Sequence, residues 1–426
     1  MAETHRTIAS VVLDRERWSR FADSVAVALV VALPWSTSAT GILVAILIVA
    51  IIPNLDRASL RRVLSTPAGG LPVLLCLVAL AGMLWASGVP LAERSEGLKS
   101  FLKLLVIPLL MVQFRRSGNG RWVVSGFLAS CGVLLALSWL LTFVPGFPWP
   151  WHGKGQIGVP IKDYISQSGE FIVCAAILAW LGLKAWREQR RGIAITIAFA
   201  IVALLANILT IATSRTALVV IPVLLVLFAY KHLSGKAITA FLAVGIVAGA
   251  LALVFVTPTR ENVAALFTEV QTFDPGSGET RAGARLEFWK KSVGFILEAP
   301  FVGHGTGSIR DQFRHSVRGT GMAAVASSNP HNQTFAVAIQ LGLLGAAVMF
   351  AMWMAHVLLF RGTGFVAWVG LVIVTQNVVG SLFNSHLFDF TQGWGYVIGV
   401  GVAAGVVLKN RGASEPAGQA QSPGPS

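Results

Sequence analysis

One histidine and three arginines carry the sequence's clearest potential for chemistry. His331 stands in "SSNPHNQTFAVAIQLGLLG" (327–345), where a polar loop runs straight into an apolar segment. Its ring titrates near neutrality, so it can accept or donate a proton where water gives way to lipid. Taken alone, a histidine at such a boundary caps a helix as readily as it moves a proton. Arg215, in "TSRTAL", has no other charge within fifteen residues of it. An arginine at a span end is a functional hypothesis unless it merely snorkels to the surface. Arg281 and Arg285 lie four apart, with Trp289 four further on, and share one face if that stretch is helical. A guanidinium donates two hydrogen bonds in a plane, which suits phosphate oxygens. Arginines beside a histidine at a membrane boundary would suit a pyrophosphate-bearing substrate.

The elements that position these residues are apolar helices. Of 426 residues, 55% are hydrophobic and 12% charged, which excludes an ordinary soluble domain. Apolar runs long enough to cross about 30 Å of hydrocarbon recur along the chain. Twelve are expected, near 21–36, 38–53, 70–88, 99–114, 122–144, 164–183, 193–213, 217–230, 238–257, 332–360, 364–383 and 391–408. The fold class expected is all-α: a polytopic transmembrane helical bundle of about twelve spans with a helical periplasmic cap between the ninth and tenth. The net charge of +14 does not indicate nucleic acid, because basic residues alternate between loops. Arg57, Arg61, Arg62, Arg115, Arg116, Lys184, Arg187 and Lys409 fall on one side. The short loops opposite hold Arg94, Lys99, Lys154, Lys162 and Arg215. By the positive-inside rule both termini are cytoplasmic.

This reading divides the chain into a cytoplasmic amphipathic N-terminus (1–20), spans one to nine (21–257), a periplasmic helical loop (258–330), spans ten to twelve (331–408) and a Pro/Gly/Ser-rich cytoplasmic tail (409–426). No cleavable signal is evident. Within the loop, "ENVAALFTEVQTF" and "RLEFWKKSVGFILEAP" read as helices, "DPGSGE" as a break, and Ser308 with Asp311 as a capping box for a third short helix. Cys76, Cys131 and Cys174 lie inside apolar runs, and no CxxC or HExxH motif occurs, so no metal or haem cofactor is expected. His152, His304 and His386 are secondary candidates with structural roles as their plainer reading. Asp389 is the only acid of "NSHLFD" (384–389), and can orient a partner or pair with an arginine.

Three stretches resemble the O-antigen ligase family of bacterial inner-membrane proteins. They are "TSRTAL" at 213–218, "RLEFWKKSVGFILEAPFVGHGTGS" at 285–308 and "PHNQTFAVAIQLGLLG" at 330–345. The matching positions are Arg215, Arg285 with Trp289, Pro300 with Gly303 and Gly305, and His331 with Asn332. The resemblance implies a metal-independent, cofactor-free, inverting glycosyltransferase of the inner membrane. Its donor would be O-antigen linked to undecaprenyl pyrophosphate, and its acceptor the lipid A–core on the periplasmic face. At the matched positions His331, Arg215 and Arg285 would be catalytic, with Ser214, Trp289 and Asn332 holding substrate; Arg281, Lys154 and Asp389, read from their place at the same face, are expected to hold substrate as well. The same superfamily contains O-antigen polymerases, which tend to carry two sizeable outer loops, whereas one long loop is found here. A secondary transporter is the alternative from another class. It is disfavoured because the ionisable residues cluster at one face.

Overall fold

The computed structural model describes residues 14–151, 155–271, 281–317 and 326–414. Among these residues there are helices and no strands. In chain order they are α1 (Arg15–Ala32), α2 (Thr37–Ile51), α3 (Arg57–Leu64), α4 (Pro67–Gly82), α5 (Leu91–Leu102), α6 (Val106–Ser117), α7 (Gly120–Phe143), α8 (Tyr164–Arg187), α9 (Arg191–Thr210), α10 (Arg215–His232) and α11 (Lys236–Phe255). Then come α12 (Thr257–Gln271), α13 (Arg281–Glu298), α14 (Ile309–His315), α15 (Gln333–Leu359), α16 (Phe365–Gly380) and α17 (Phe390–Ser414).

Nine helical segments among the described residues are long and apolar enough to cross a membrane. The count rises to ten if α3 and α4, bent by 86° between them, form one span. The expected total of about twelve is therefore not reached. Each expected run is helical, but two fall short of a span. Helix α1 carries Arg15, Glu16, Arg17, Arg20 and Asp23 in its first half, and α16 has only 16 residues. Helix α1 also runs unbroken from Arg15, so Trp18 and Arg20, assigned to the amphipathic N-terminus, belong to the first apolar helix.

Long-range contacts sort the helix ends into two faces. At one, Lys409 Nζ donates to the Arg116 carbonyl, Lys231 Nζ to that of Arg361, Arg187 to that of His232 and Arg411 to that of Leu359. Arg116 also pairs with Asp56. Basic side chains thus close the last carbonyls of helices, where the macrodipole favours them. The opposite end carries the N-termini of α8, α10, α15 and α17 together with α13 and α14. There Ser214 meets Ser168 (2.9 Å), and Lys162 Nζ bonds Thr391 Oγ1 (3.0 Å). Arg314 reaches Glu93 from α14 (2.8 Å).

Helix α15 is broken. The run 332–360 reads as one continuous apolar span, yet Gly342 has φ 62° and ψ −161°, roughly 14 Å into the helix at 1.5 Å per residue. A break inside apolar surroundings strands backbone groups that cost several kcal/mol each if unmet. The Pro300–Gly307 loop meets them. The Leu343 and Leu344 amides donate to the carbonyls of Pro300 (2.7 Å) and Phe301 (3.1 Å). The carbonyls of Ile339 and Gln340 accept from the amides of His304 and Gly305, each at 2.9 Å. A Cβ on Gly303 would lie 2.5 Å from the Gln340 backbone, and one on Gly342 2.3 Å from that of Phe301. The Pro-x-x-Gly-x-Gly spacing is thus the backbone complement of the broken helix. The loop also anchors to α4, where the Thr306 amide donates to the Gly82 carbonyl (3.1 Å).

The three cap helices lie between α11 and α15. Phe288 and Phe295 of α13 pack with Ile309 and Phe313 of α14 against Ala336 and Ile339 of α15. Burying each such side chain contributes on the order of 1.5–3 kcal/mol, so the cap is bound to the N-terminal half of the broken helix. The expected capping box is not formed. Ser308 is αR (φ −73°, ψ −12°) and its hydroxyl makes no cap bond, because capping needs an extended residue there. Asp311 faces Arg314 (3.7 Å) and His315 (3.5 Å) instead. "DPGSGE", His152, Lys154 and the tail beyond 414 lie outside the described residues, as do the side chains of Leu266 and Val270.

Candidate functional site

His331 occupies the left-handed backbone region with φ 54°. Few non-glycine residues adopt it, and such strain concentrates at functional sites. The conformation is held locally: the His331 amide donates to Asn329 Oδ1 (2.8 Å), while Ser385 Oγ donates to the same oxygen (2.7 Å). The next residue, Asn332, caps α15 by accepting from the Phe335 amide (3.2 Å), and its Nδ2 donates to the Leu382 carbonyl (3.1 Å). Both ends of the Asn332 amide thus fix the helix start that presents His331. Pro330 and Asn332 hold the ring from either side in sequence, and α13 holds it in space.

The ring is half-buried. Its Nδ1 faces Asn384 Oδ1 at 3.0 Å, and Asn384 Nδ2 donates to Asp389 Oδ2 at 2.7 Å. A carboxylate only accepts, so the amide nitrogen turns to Asp389 and the amide oxygen to the ring. An oxygen facing Nδ1 requires a proton on it. The neutral imidazole therefore keeps its proton on Nδ1 and its lone pair on Nε2, the tautomer a base needs. The ring lies over Phe288, with centroids 6.2 Å apart and planes 19° from parallel. Burial pushes the His331 pKa below its ordinary value; the Asn384 bond pulls it back in part, and the nearby Arg285 cation lowers it further. Arg285 and His331 are thus neighbours although 46 positions apart in sequence.

The other expected residues distribute as follows. Arg215 opens α10 at the same end of the bundle. Ser214 is its N-cap, accepting from the Ala217 amide (3.1 Å) while buried against Ser168. Trp289 stands edge-on to Phe335 (6.3 Å), and its Nε1 meets no partner among the described residues. Arg281 starts α13, but its side chain lies outside the described residues. Asp389 sits just before α17, and burial raises its pKa to about 7 despite the Lys103 cation, Asp163 adding to the rise. Lys103 Nζ donates to the backbone carbonyls of Phe388 and Asp389, both at 3.0 Å. His304 is structural, bonded through Nε2 to the Phe295 carbonyl (2.7 Å). His386 is buried, and burial lowers its pKa to about 4.

Two hollows adjoin this end. An apolar groove between α7, α8, α16 and α17 runs from Ser166 and Thr391 to Arg121 and Phe365 at the other face. A polar cavity of about 320 Å³ lies between α5, the start of α14 and the loop before α17. The sequence reading missed Asn384, Asn329 and this cavity.

Residues 199–350 match the family model described as O-antigen ligase. Over this stretch, about a third of the chain, the sequence is similar to the O-antigen ligase family. The matched region contains Arg215, Arg285, the Pro300–Gly305 turn, His331 and the Gly342 break. Asn384 and Asp389, which hold the His331 ring, lie beyond it. No curated protein matches the sequence.

Proposed function

We propose that this protein transfers O-antigen polysaccharide from undecaprenyl pyrophosphate to the lipid A–core on the periplasmic face of the bacterial inner membrane. The observation that carries the reading is the juxtaposition of Arg285 with a His331 ring whose Nε2 is the basic nitrogen. The basic end of the bundle would face the cytoplasm, as the positive-inside rule requires, and the cap end the periplasm.

In this mechanism the acceptor hydroxyl oxygen attacks the anomeric carbon of the donor sugar. Its proton passes to His331 Nε2. The bond from that carbon to the phosphate oxygen breaks, and its electron pair leaves with the diphosphate. Arg285 and Arg215 stabilise the departing charge, the kind of electrostatic contribution that is often the largest in catalysis. Displacement from the opposite face inverts the anomeric configuration. No step requires a metal. The apolar groove takes the isoprenoid tail, so lipid and sugar meet at the boundary where His331 stands.

The test is transfer by the purified full chain in proteoliposomes, given undecaprenyl-diphosphate-linked glycan and lipid A–core. The expected product is glycan on lipid A–core. Glycan lengthened on the polyprenyl carrier instead would favour the polymerase reading, and transfer to neither would contradict both.

A further inference from the structure

We propose that the cavity beside His331 is the seat of the acceptor's sugar, a neutral polyhydroxylated ring. The inference rests on the transferase reading above and assigns a binding site to its second substrate. The cavity touches the catalytic histidine's own segment: Asn329 and Pro330, the two residues before His331, line it. Asp389 and Ser385 line it too, and both belong to the hydrogen-bond network that fixes the ring.

Its charge decides the ligand class. Three carboxylates line it, Glu93, Glu96 and Asp389. Each already has a cation: Arg314 bonds Glu93 at 2.8 Å, Lys99 bonds Glu96 at 2.8 Å, and Lys103 lies behind Asp389. Arg310 also lines the cavity, but it stands among three carboxylates that compete with phosphate oxygens for donors, so a diphosphate is better placed beside Arg285 on the α13 side. A bare metal ion would compete with cations already in position. A neutral ligand rich in hydroxyls fits, because paired carboxylates still have lone pairs that accept from O–H groups. The buried Oε2 of Glu93 meets no partner, while Oε1 is occupied by Arg314. Ser100, Ser328 and Arg310 add donors, and Phe388 contributes an aromatic wall for the apolar face of a sugar ring. The volume of about 320 Å³ is at the lower end of the range for small-molecule sites, of the order needed for one or two sugar rings.

The test is direct binding to the full chain in nanodiscs, using purified lipid A–core as one probe and undecaprenyl diphosphate as the other. Ser100→Phe fills the cavity and should weaken lipid A–core binding by more than about tenfold. Ser100→Ala and Glu96→Gln are milder and should each weaken it by about three- to tenfold, the effect of losing one hydrogen bond. Undecaprenyl diphosphate should bind all three within about twofold of wild type. If Ser100→Phe fails to fold, the two milder variants carry the test. Unchanged lipid A–core affinity in the folded variants, or equal weakening toward both probes, would overturn the assignment. Because the readout is binding, the outcome separates from the transfer reaction. Wild-type transfer with variants that still bind lipid A–core normally removes this site and leaves the enzyme. A wild type that neither transfers glycan nor binds lipid A–core removes both.

Discussion

Two segments of the chain meet helix α15, and they use it in opposite ways. The Pro300–Gly307 loop gives its backbone to the broken helix at Gly342, matching Leu343, Leu344, Ile339 and Gln340 one for one. The Asn329–Asn332 segment uses its hydrogen bonds to hold one side chain on a strained backbone with a defined tautomer. Both lie in the region similar to the O-antigen ligase family, but the first is architecture and the second, in the proposed mechanism, is chemistry. Loss of the first should abolish the fold, and loss of the second should abolish the reaction alone.

The largest expected effect tests the architectural half. Gly303→Val places a Cβ against the Gln340 backbone at a left-handed position (φ 67°). Overpacking costs about 1–3 kcal/mol and the backbone conformation about 1–2 more, so folded yield should collapse. A monodisperse variant with wild-type Tm would break the comparison. Next comes His331→Ala, which should lower transfer by roughly 10²–10⁴ while Tm changes little, since general-base catalysis contributes on that scale. A large fall in Tm would make His331 architectural as well.

Much of this was legible in the sequence. The helices, the cap and the separation of basic loops follow from apolar period and charge. Arg285 and His331 could be singled out by residue type and by order along the chain. Three features could not. The Gly342 break hides in an unbroken apolar run, because its backbone partners come from a loop about forty residues earlier. Asn384 is a lone amide whose importance appears only when its oxygen faces the ring. Ser308 looks like a cap because the spacing to Asp311 is right, yet its backbone angles make the cap geometrically impossible.

A smaller effect sharpens the chemical half. Asn384→Ala should lower kcat by about tenfold with lipid A–core KM nearly unchanged, since positioning is lost and binding is not. Asn384→Asp places a carboxylate beside Asp389 and should also be poor; full activity in both would remove the tautomer argument. The pH profile adds a direction. Asp389 has a raised pKa of about 7, so its carboxylate is present above that pH and lost as pH falls through it. His331, with a lowered pKa, stays neutral further into acid. Transfer should therefore fall below about pH 7 through Asp389. Asp389→Asn should lack that acid limb and be slower at high pH. A wild-type rate constant down to pH 5 would contradict this. The smallest expected effect is none: excess EDTA should leave the rate unchanged, and a loss restored by Mg²⁺ would refute a metal-free mechanism.

The most direct measurement is single-turnover transfer in proteoliposomes by His331→Gln and Arg285→Lys beside wild type, with folding checked for each. Glutamine can hold a hydrogen bond but cannot take a proton, and lysine keeps a charge but loses the bidentate fork. The account predicts that both fold and bind donor, and that both lose transfer by at least about a hundredfold. Transfer at wild-type rate by His331→Gln would show that the ring orients the acceptor without accepting its proton, contradicting the central claim.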